Sequence, residues 1–209
     1  MKFQAVRVTH QYTQTNSAPP EQVFPLLCPV RETEWVPGWQ HTLIYSKSGV
    51  AEAGCVFITE ENGREITWLI TEYDPQTFRI AFVWVDPRML TAQINITLEP
   101  ETARPASRFA PPLQAGTFSR PPAAERRQNK AHGASRGSRA ANDQAPEGRK
   151  NSIVTSAHIQ YTYTGLSPDG NREVERFTEA WFRDKMQSWE AAINHYLKTG
   201  KCIAAPTRE

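Results

Sequence analysis

Apolar and polar residues alternate along most of this chain, and turn-forming residues interrupt the alternation at short intervals. Residues 3–13 alternate well enough for a strand, with Val6, Val8 and Tyr12 on one face. The period changes at SAPPEQVFPLLC. Ser17 can cap this stretch, its prolines suit a first helical turn, and Val23, Phe24 and Leu27 make a short apolar stripe, which predicts a helix of about two turns. Pro29 interrupts it, and VRETEW predicts another short helical turn that Pro37-Gly38 ends.

Strand-like runs follow: HTLIYSKSG, GCVFITEE, REITWLITEYD, FRIAFVWVD and LTAQINITLE. They break at Ser48-Gly49, Glu61-Asn62-Gly63, Asp74-Pro75 and Asp86-Pro87. Asn62-Gly63 between two alternating runs is the strongest local hairpin signal in the chain. Alternation assigns the faces: Ile66, Trp68 and Ile70 share one side, as do Phe78, Ile80, Phe82 and Trp84, and Ala92, Ile94, Ile96 and Leu98. A seventh run, SIVTSAHIQYTYTG, puts Ile153, Ile159, Tyr161 and Tyr163 together. Short strands with short connections predict an antiparallel meander with one aromatic and aliphatic face.

The last segment, SPDGNREVERFTEAWFRDKMQSWEAAINHYLKTG, has helical spacing. Val174, Phe177, Trp181, Trp189, Ile193, Tyr196 and Leu197 recur at steps of three, four, and seven or eight. This predicts one continuous helix of about eight turns, capped by Ser167 and stopped by Gly200. The aromatic stripe of that helix and the aromatic face of the sheet each need a partner.

Composition changes the picture in one place. The net charge is +2, yet residues 101–150 carry ten Lys/Arg against four Asp/Glu. That segment is dominated by Ala, Arg, Pro, Gly and Ser, with only Phe109, Leu113 and Phe118 as large apolar residues. Ordering costs about 1–2 kcal/mol per residue for the backbone alone, so a disordered insertion in the hairpin between strands six and seven is expected. Residues 1–203 are then one domain, with 204–209 a tail. Three cysteines without C-x-x-C spacing read as reduced thiols. The N-terminus reads as a strand rather than a signal peptide, and no run is long enough to span a bilayer. A soluble cytoplasmic protein is expected.

The stretches PPEQVFPLLCPVRETEWVPGW, YTYTGLSPDGN and NHYLKTGK, set in this order of elements, resemble the START-like superfamily called SRPBCC, in particular a bacterial branch of it. The resemblance covers residues 1–100 and 151–203, about three-quarters of the chain. Where this chain has residues 101–150, that pattern has only a short hairpin. The superfamily includes polyketide cyclases and aromatases, lipid-transfer domains and pollen-allergen proteins. The resemblance implies an α+β helix-grip fold: a curved, seven-stranded antiparallel sheet wrapped around a long C-terminal helix, with two short helices after the first strand. It also implies an interior cavity that often holds a hydrophobic ligand. It names no reaction, because activity varies widely on this fold.

The residues themselves argue against several chemistries. GLSPDGNR has the glycine spacing of a phosphate-binding loop but Asn171-Arg172 where that loop needs Lys-Ser/Thr, so a capped helix start is expected instead. His10, His41, His132, His158 and His195 show no ligand spacing, so no metal is expected, nor any cofactor. There is no G-x-S-x-G, and Cys28 and Cys55 lie on apolar stretches, with Cys28 facing the cavity as a second reading. The basic segment is too sparse in charge for specific nucleic acid binding.

Candidate chemistry gathers around RETEWVPGWQ. Glu32 and Glu34 point to different sides of a short helix, and Glu32 shares a side with Trp35. Beside an indole in an apolar pocket, a carboxyl group rises in pKa and can move protons; a solvated face or a salt bridge is the plainer reading. The expected cavity lining is Glu32, Trp35, Trp39, Trp68, Phe82, Trp84, Ile94, Tyr161, Tyr163, Phe177 and Trp181, with a filled core as the alternative. Three functions remain open: binding of a small hydrophobic or aromatic molecule, a cyclase-, aromatase- or hydrolase-like enzyme using Glu32 or a tyrosine, and a co-chaperone-like module with a protein partner.

Overall fold

The computed structural model describes residues 2–61, 63–102 and 153–203. The expected insertion, beyond Glu101 and Thr102, and the 204–209 tail lie outside the described residues. The element order is β1 (Arg7–Asn16), α1 (Pro20–Val23), a 3-10 turn (Phe24–Leu27), α2 (Pro29–Glu32), β2 (Thr42–Tyr45), β3 (Val56–Glu61), β4 (Arg64–Asp74), β5 (Arg79–Asp86), β6 (Leu90–Thr102), β7 (Ile153–Gly165), α3 (Pro168–Arg176) and α4 (Glu179–Thr199). The strands form a single open, curved antiparallel sheet in the order β1-β7-β6-β5-β4-β3-β2. Every neighbour follows in sequence except β1, which closes on β7.

The alternation sets the buried face. Ile80, Phe82 and Trp84 on β5, Ala92, Ile94, Ile96 and Leu98 on β6, and Ile159, Tyr161 and Tyr163 on β7 are all buried. Their register stacks them across the sheet: Phe82 pairs with Ile94, and Ile94 with Tyr161. β3 and β4 pair from Glu61 opposite Arg64 inward, as the hairpin signal implies, and Gly63 takes φ 73°. Pairing of β6 with β7 runs unbroken from Leu90–Gly165 to Thr102–Ile153.

Two helical expectations need correction. Ser17 caps nothing: α1 begins after Pro19, which makes no side-chain cap, and the Ser17 N–H instead donates to Asn194 Oδ1 at 2.8 Å. The C-terminal helix is not continuous. α3 ends at Phe177, whose ψ of 67° leaves the helical region, and Thr178 starts α4 by accepting from the Trp181 N–H. Each piece has its own cap, so the phase of the stripe resets at the break. In α4 the fully buried positions are Phe182, Met186 and Ile193, while Trp181 is 38% exposed. The C-terminal stop is as expected, with Gly200 at φ 66°.

α3 packs on β7, β1 and β6, and its glycines serve that packing. The Ser167 hydroxyl accepts from the Gly170 N–H at 3.0 Å, and the Leu166 N–H donates to the Met89 carbonyl at 2.7 Å. A Cβ at Gly170 would overlap the Met89 carbonyl, and one at Gly165 would overlap Asn171. Asn171 also accepts from the Val6 N–H at 2.8 Å and donates to the Gln4 carbonyl at 2.9 Å. The glycine spacing that resembles a phosphate loop is therefore a close helix-to-sheet contact. Gly170→Ala is expected to destabilise the fold by about 2–3 kcal/mol, since the obstruction is backbone rather than a movable side chain; urea denaturation of the two proteins measures it.

Candidate functional site

Between the sheet and α4 lies a cavity of about 330 Å³. Its floor comes from the sheet: Phe57 and Thr59 on β3, Trp68 on β4, Phe82 on β5, Ile94 and Ile96 on β6, and Tyr161 on β7. α4 supplies Lys185 and Trp189 from the other side. Leu27, Glu32 and the turn Val36–Pro37–Gly38–Trp39–Gln40 close one flank, and the exposed Glu60 and Glu61 stand at the mouth.

The aromatic floor is tightly organised. Phe57 stacks on Trp68 with ring centroids 5.4 Å apart, and Phe82 meets Trp68 edge-on at 6.2 Å. Three indole N–H groups bond to the protein itself. Trp68 donates to Thr59 Oγ1 at 2.9 Å, Trp39 to the Pro29 carbonyl at 2.8 Å, and Trp35 to the Leu26 carbonyl at 2.8 Å. These bonds fix the rings as walls.

The structure brings together Glu32, Trp39, Trp68, Phe82, Ile94 and Tyr161 of the expected set around this cavity. Trp35 sits one layer behind, fully buried and edge-on to Trp189 at 5.4 Å. Trp84, Tyr163, Phe177 and Trp181 lie outside this lining in an aromatic cluster nearer α3, which joins the floor where Trp84 meets Trp68 at 5.9 Å and Tyr163 meets Tyr161 at 5.7 Å. There Tyr163 and Phe177 are 4.5 Å apart and Phe177 stacks on Trp181 at 4.7 Å. Cys28 does not line the cavity; its Sγ accepts from the Ala51 N–H at 3.3 Å.

The two carboxylates of RETEWVPGWQ part company. Glu34 turns outward, takes a two-pronged bond from Arg31 at 2.9 Å and accepts from the Tyr196 hydroxyl, and the Arg31 hydrogen bonds hold its pKa down at about 2. Glu32 turns inward and is 6% exposed. Burial pushes its pKa up to about 8, with Lys185 working against the rise. Burial also lowers the pKa of Lys185, opposed by Glu61 and Glu32, and raises that of Tyr161. No side-chain hydrogen bond or ion pair among the described residues engages Glu32 or Lys185.

Sequence reasoning passed over Lys185. Its signal was present: it stands four residues after Trp181 and four before Trp189, filling the gap in the stripe on the same helical side. Among the described residues no histidine lines this cavity, and His132 lies outside the described residues. The His10 ring stacks on Phe182 at 5.3 Å and bonds the Phe177 carbonyl, and His158 lies outside near Thr13 and Glu99. Among the described residues no cluster of three or more His, Cys, Asp or Glu is disposed to hold a metal. No helix among them is long and apolar enough to cross a membrane.

Solved structures share this architecture. A hypothetical protein, jhp0584, from Helicobacter pylori aligns over 90% of this chain and 87% of its own, at 10% identity and a TM-score of 0.51. Norcoclaurine synthase from Thalictrum flavum aligns over 93% and 88%, at 10% identity and a TM-score of 0.50. The chain shares with them the helix-grip fold, a curved antiparallel sheet wrapped around a long C-terminal helix. At these identities the likeness extends to the fold alone. No protein-family model matches the sequence, and no curated protein matches it.

A carboxyl group held neutral by burial carries a consequence for stability. Between the ordinary carboxylate pKa and about 8 the folded state keeps a proton on Glu32 that the unfolded chain releases, so stability falls as pH rises through that window. Glu32→Gln, which cannot ionise, is expected to remove this loss. Its stability relative to the parent should improve by on the order of 2–4 kcal/mol between pH 5 and pH 9, read by urea melts at each pH.

Proposed function

We propose that the protein binds a small hydrophobic or aromatic molecule in the cavity between the sheet and α4, as a carrier or sensor. One observation carries this reading: an aromatic-floored space of about 330 Å³ contains two ionisable side chains, Glu32 and Lys185, that the protein itself leaves unpaired. A filled core has no such space, and a buried ionisable group without a partner costs free energy, which favours a functional role for it. Affinity comes from apolar burial at about 25 cal/mol per Å², less the cost of immobilising the ligand. Glu32, Lys185 and the Tyr161 hydroxyl orient its polar end. The norcoclaurine synthase of this fold has been solved in complex with dopamine and hydroxybenzaldehyde, and aromatic molecules of that size suit a cavity of this kind.

A second reading, an enzyme of the cyclase, aromatase or hydrolase-like kind, is favoured by the position of Glu32. A carboxyl group with a pKa near 8 is poised at neutral pH to act as a general acid or base.

Native mass spectrometry of freshly purified protein, with a neutral naphthylamine fluorophore as titrant, tests the binding reading. One apolar molecule per chain is expected, and Ile94→Phe, which fills the floor, is expected to weaken the fluorophore at least about 10-fold while the circular dichroism spectrum is kept. A chain that binds no apolar molecule at all would contradict it.

A further inference from the structure

We propose that Lys185 is the reactive amine of this cavity and captures an apolar aldehyde or ketone as an imine, with Glu32 moving the protons. This rests on the cavity being a ligand site and specifies the chemical class of the ligand. The surroundings of Lys185 carry it. The side chain leaves α4 between Trp181 and Trp189, and Nζ stands 5.2 Å from the Trp181 ring centroid and 5.7 Å from that of Tyr161. A lysine retained for charge pairing would have an acidic partner. Glu32 and Glu61 both line the same cavity, yet among the described residues no carboxylate lies within 4.0 Å of Nζ. Amine and acid therefore line a common space without pairing with each other.

Of the small groups that fit between an amine and a carboxyl, a carbonyl uses both. Its carbon takes the amine and its oxygen takes the proton. The remainder of the ligand then rests on Phe57, Trp68 and Phe82. Desolvation makes the neutral amine of Lys185 more available than that of a surface lysine, while the two aromatic faces and the carboxylates Glu32 and Glu61 keep the ammonium accessible.

The step balances without a co-reactant. The lone pair of the neutral amine forms a bond to the carbonyl carbon, and the π pair moves to oxygen, which takes the Glu32 proton. The Glu32 carboxylate removes a proton from the new ammonium nitrogen, leaving a carbinolamine. Glu32 then returns that proton to the hydroxyl, water departs, and the nitrogen lone pair closes the C=N bond. The products are one water and an iminium ion with the Glu32 carboxylate as its counter-charge. Nothing is oxidised or reduced, and hydrolysis reverses the sequence.

Reductive trapping tests this on the intact chain. The protein is incubated with 2-naphthaldehyde and sodium cyanoborohydride, and the modified peptides are mapped over time. The expected result is a single early adduct on Lys185, formed at least 10-fold faster than on the exposed Lys47 and Lys198 and suppressed by a neutral naphthylamine fluorophore. Glu32→Gln is expected to slow the Lys185 adduct at least 10-fold and to leave the rates at Lys47 and Lys198 unchanged. Labelling of Lys185 no faster than of Lys47 and Lys198, in protein that binds the fluorophore, overturns the imine proposal alone. Failure of the parent protein to bind the fluorophore overturns the ligand-site reading on which it rests.

Discussion

The docking of α4 along one margin of the sheet is the contact on which the other features depend. The helix packs chiefly against β1, the edge strand, and polar groups fix it there. Glu190 accepts from the Tyr12 hydroxyl at 2.8 Å and from the Thr15 N–H at 3.1 Å, while Asn194 exchanges two hydrogen bonds with the backbone of Thr15 and Ser17. Further on, Tyr196 is tied to Glu34 and through it to Arg31. Hydrogen bonds are directional where apolar contact is not, so this seam sets the position of the helix instead of letting it settle into the middle of the curved sheet. Phe182 fills the gap along the seam, stacked on His10 of β1 and edge-on to Tyr161 of β7. Over β3 to β6, and as far as Tyr161 on β7, a space remains.

That space is roofed by the least regular part of the chain. α2 is a single turn, and Pro29, Pro37 and Gly38 bend the backbone around it. The short helix settles the division of labour between its carboxylates: Glu34 joins the seam that holds α4, and Glu32 is turned into the cavity. The same three residues of sequence thus supply a structural anchor and a desolvated acid. The acid is costly to the fold, and it shares the cavity with an equally unpaired lysine.

The sheet was legible in the sequence because its signal is local. A period of two assigns Phe82, Ile94 and Tyr161 to one face without knowledge of their partners. The hairpins follow from turn residues alone. The break at Phe177–Thr178 was not legible, because a helical stripe can be drawn through it at steps of three and four. What ends α3 is its packing on β7, β1 and β6, a tertiary effect. The phase error it caused placed Trp181 in the cavity lining and hid Phe182 and Met186. The partners of the indole N–H groups were not legible for a related reason: the carbonyls of Leu26 and Pro29 that accept from Trp35 and Trp39 become acceptors only once the short helices have ended. Lys185 was visible as the gap in an aromatic stripe, yet a lysine on a helix is ordinarily a solvated residue, and only the opposing sheet turns it into an interior one.

The six tryptophans offer the most direct test of the central claim, that a ligand space lies between the sheet and α4 and nowhere else in the aromatic interior. Each indole N–H gives one resonance in an amide-type proton–nitrogen correlation spectrum. Titration with a neutral apolar ligand should move the resonances of Trp39, Trp68 and Trp189 most, with Trp35, Trp84 and Trp181 shifting little. Largest shifts at Trp84 and Trp181, or no shift at any of the six at saturating ligand, would contradict the account.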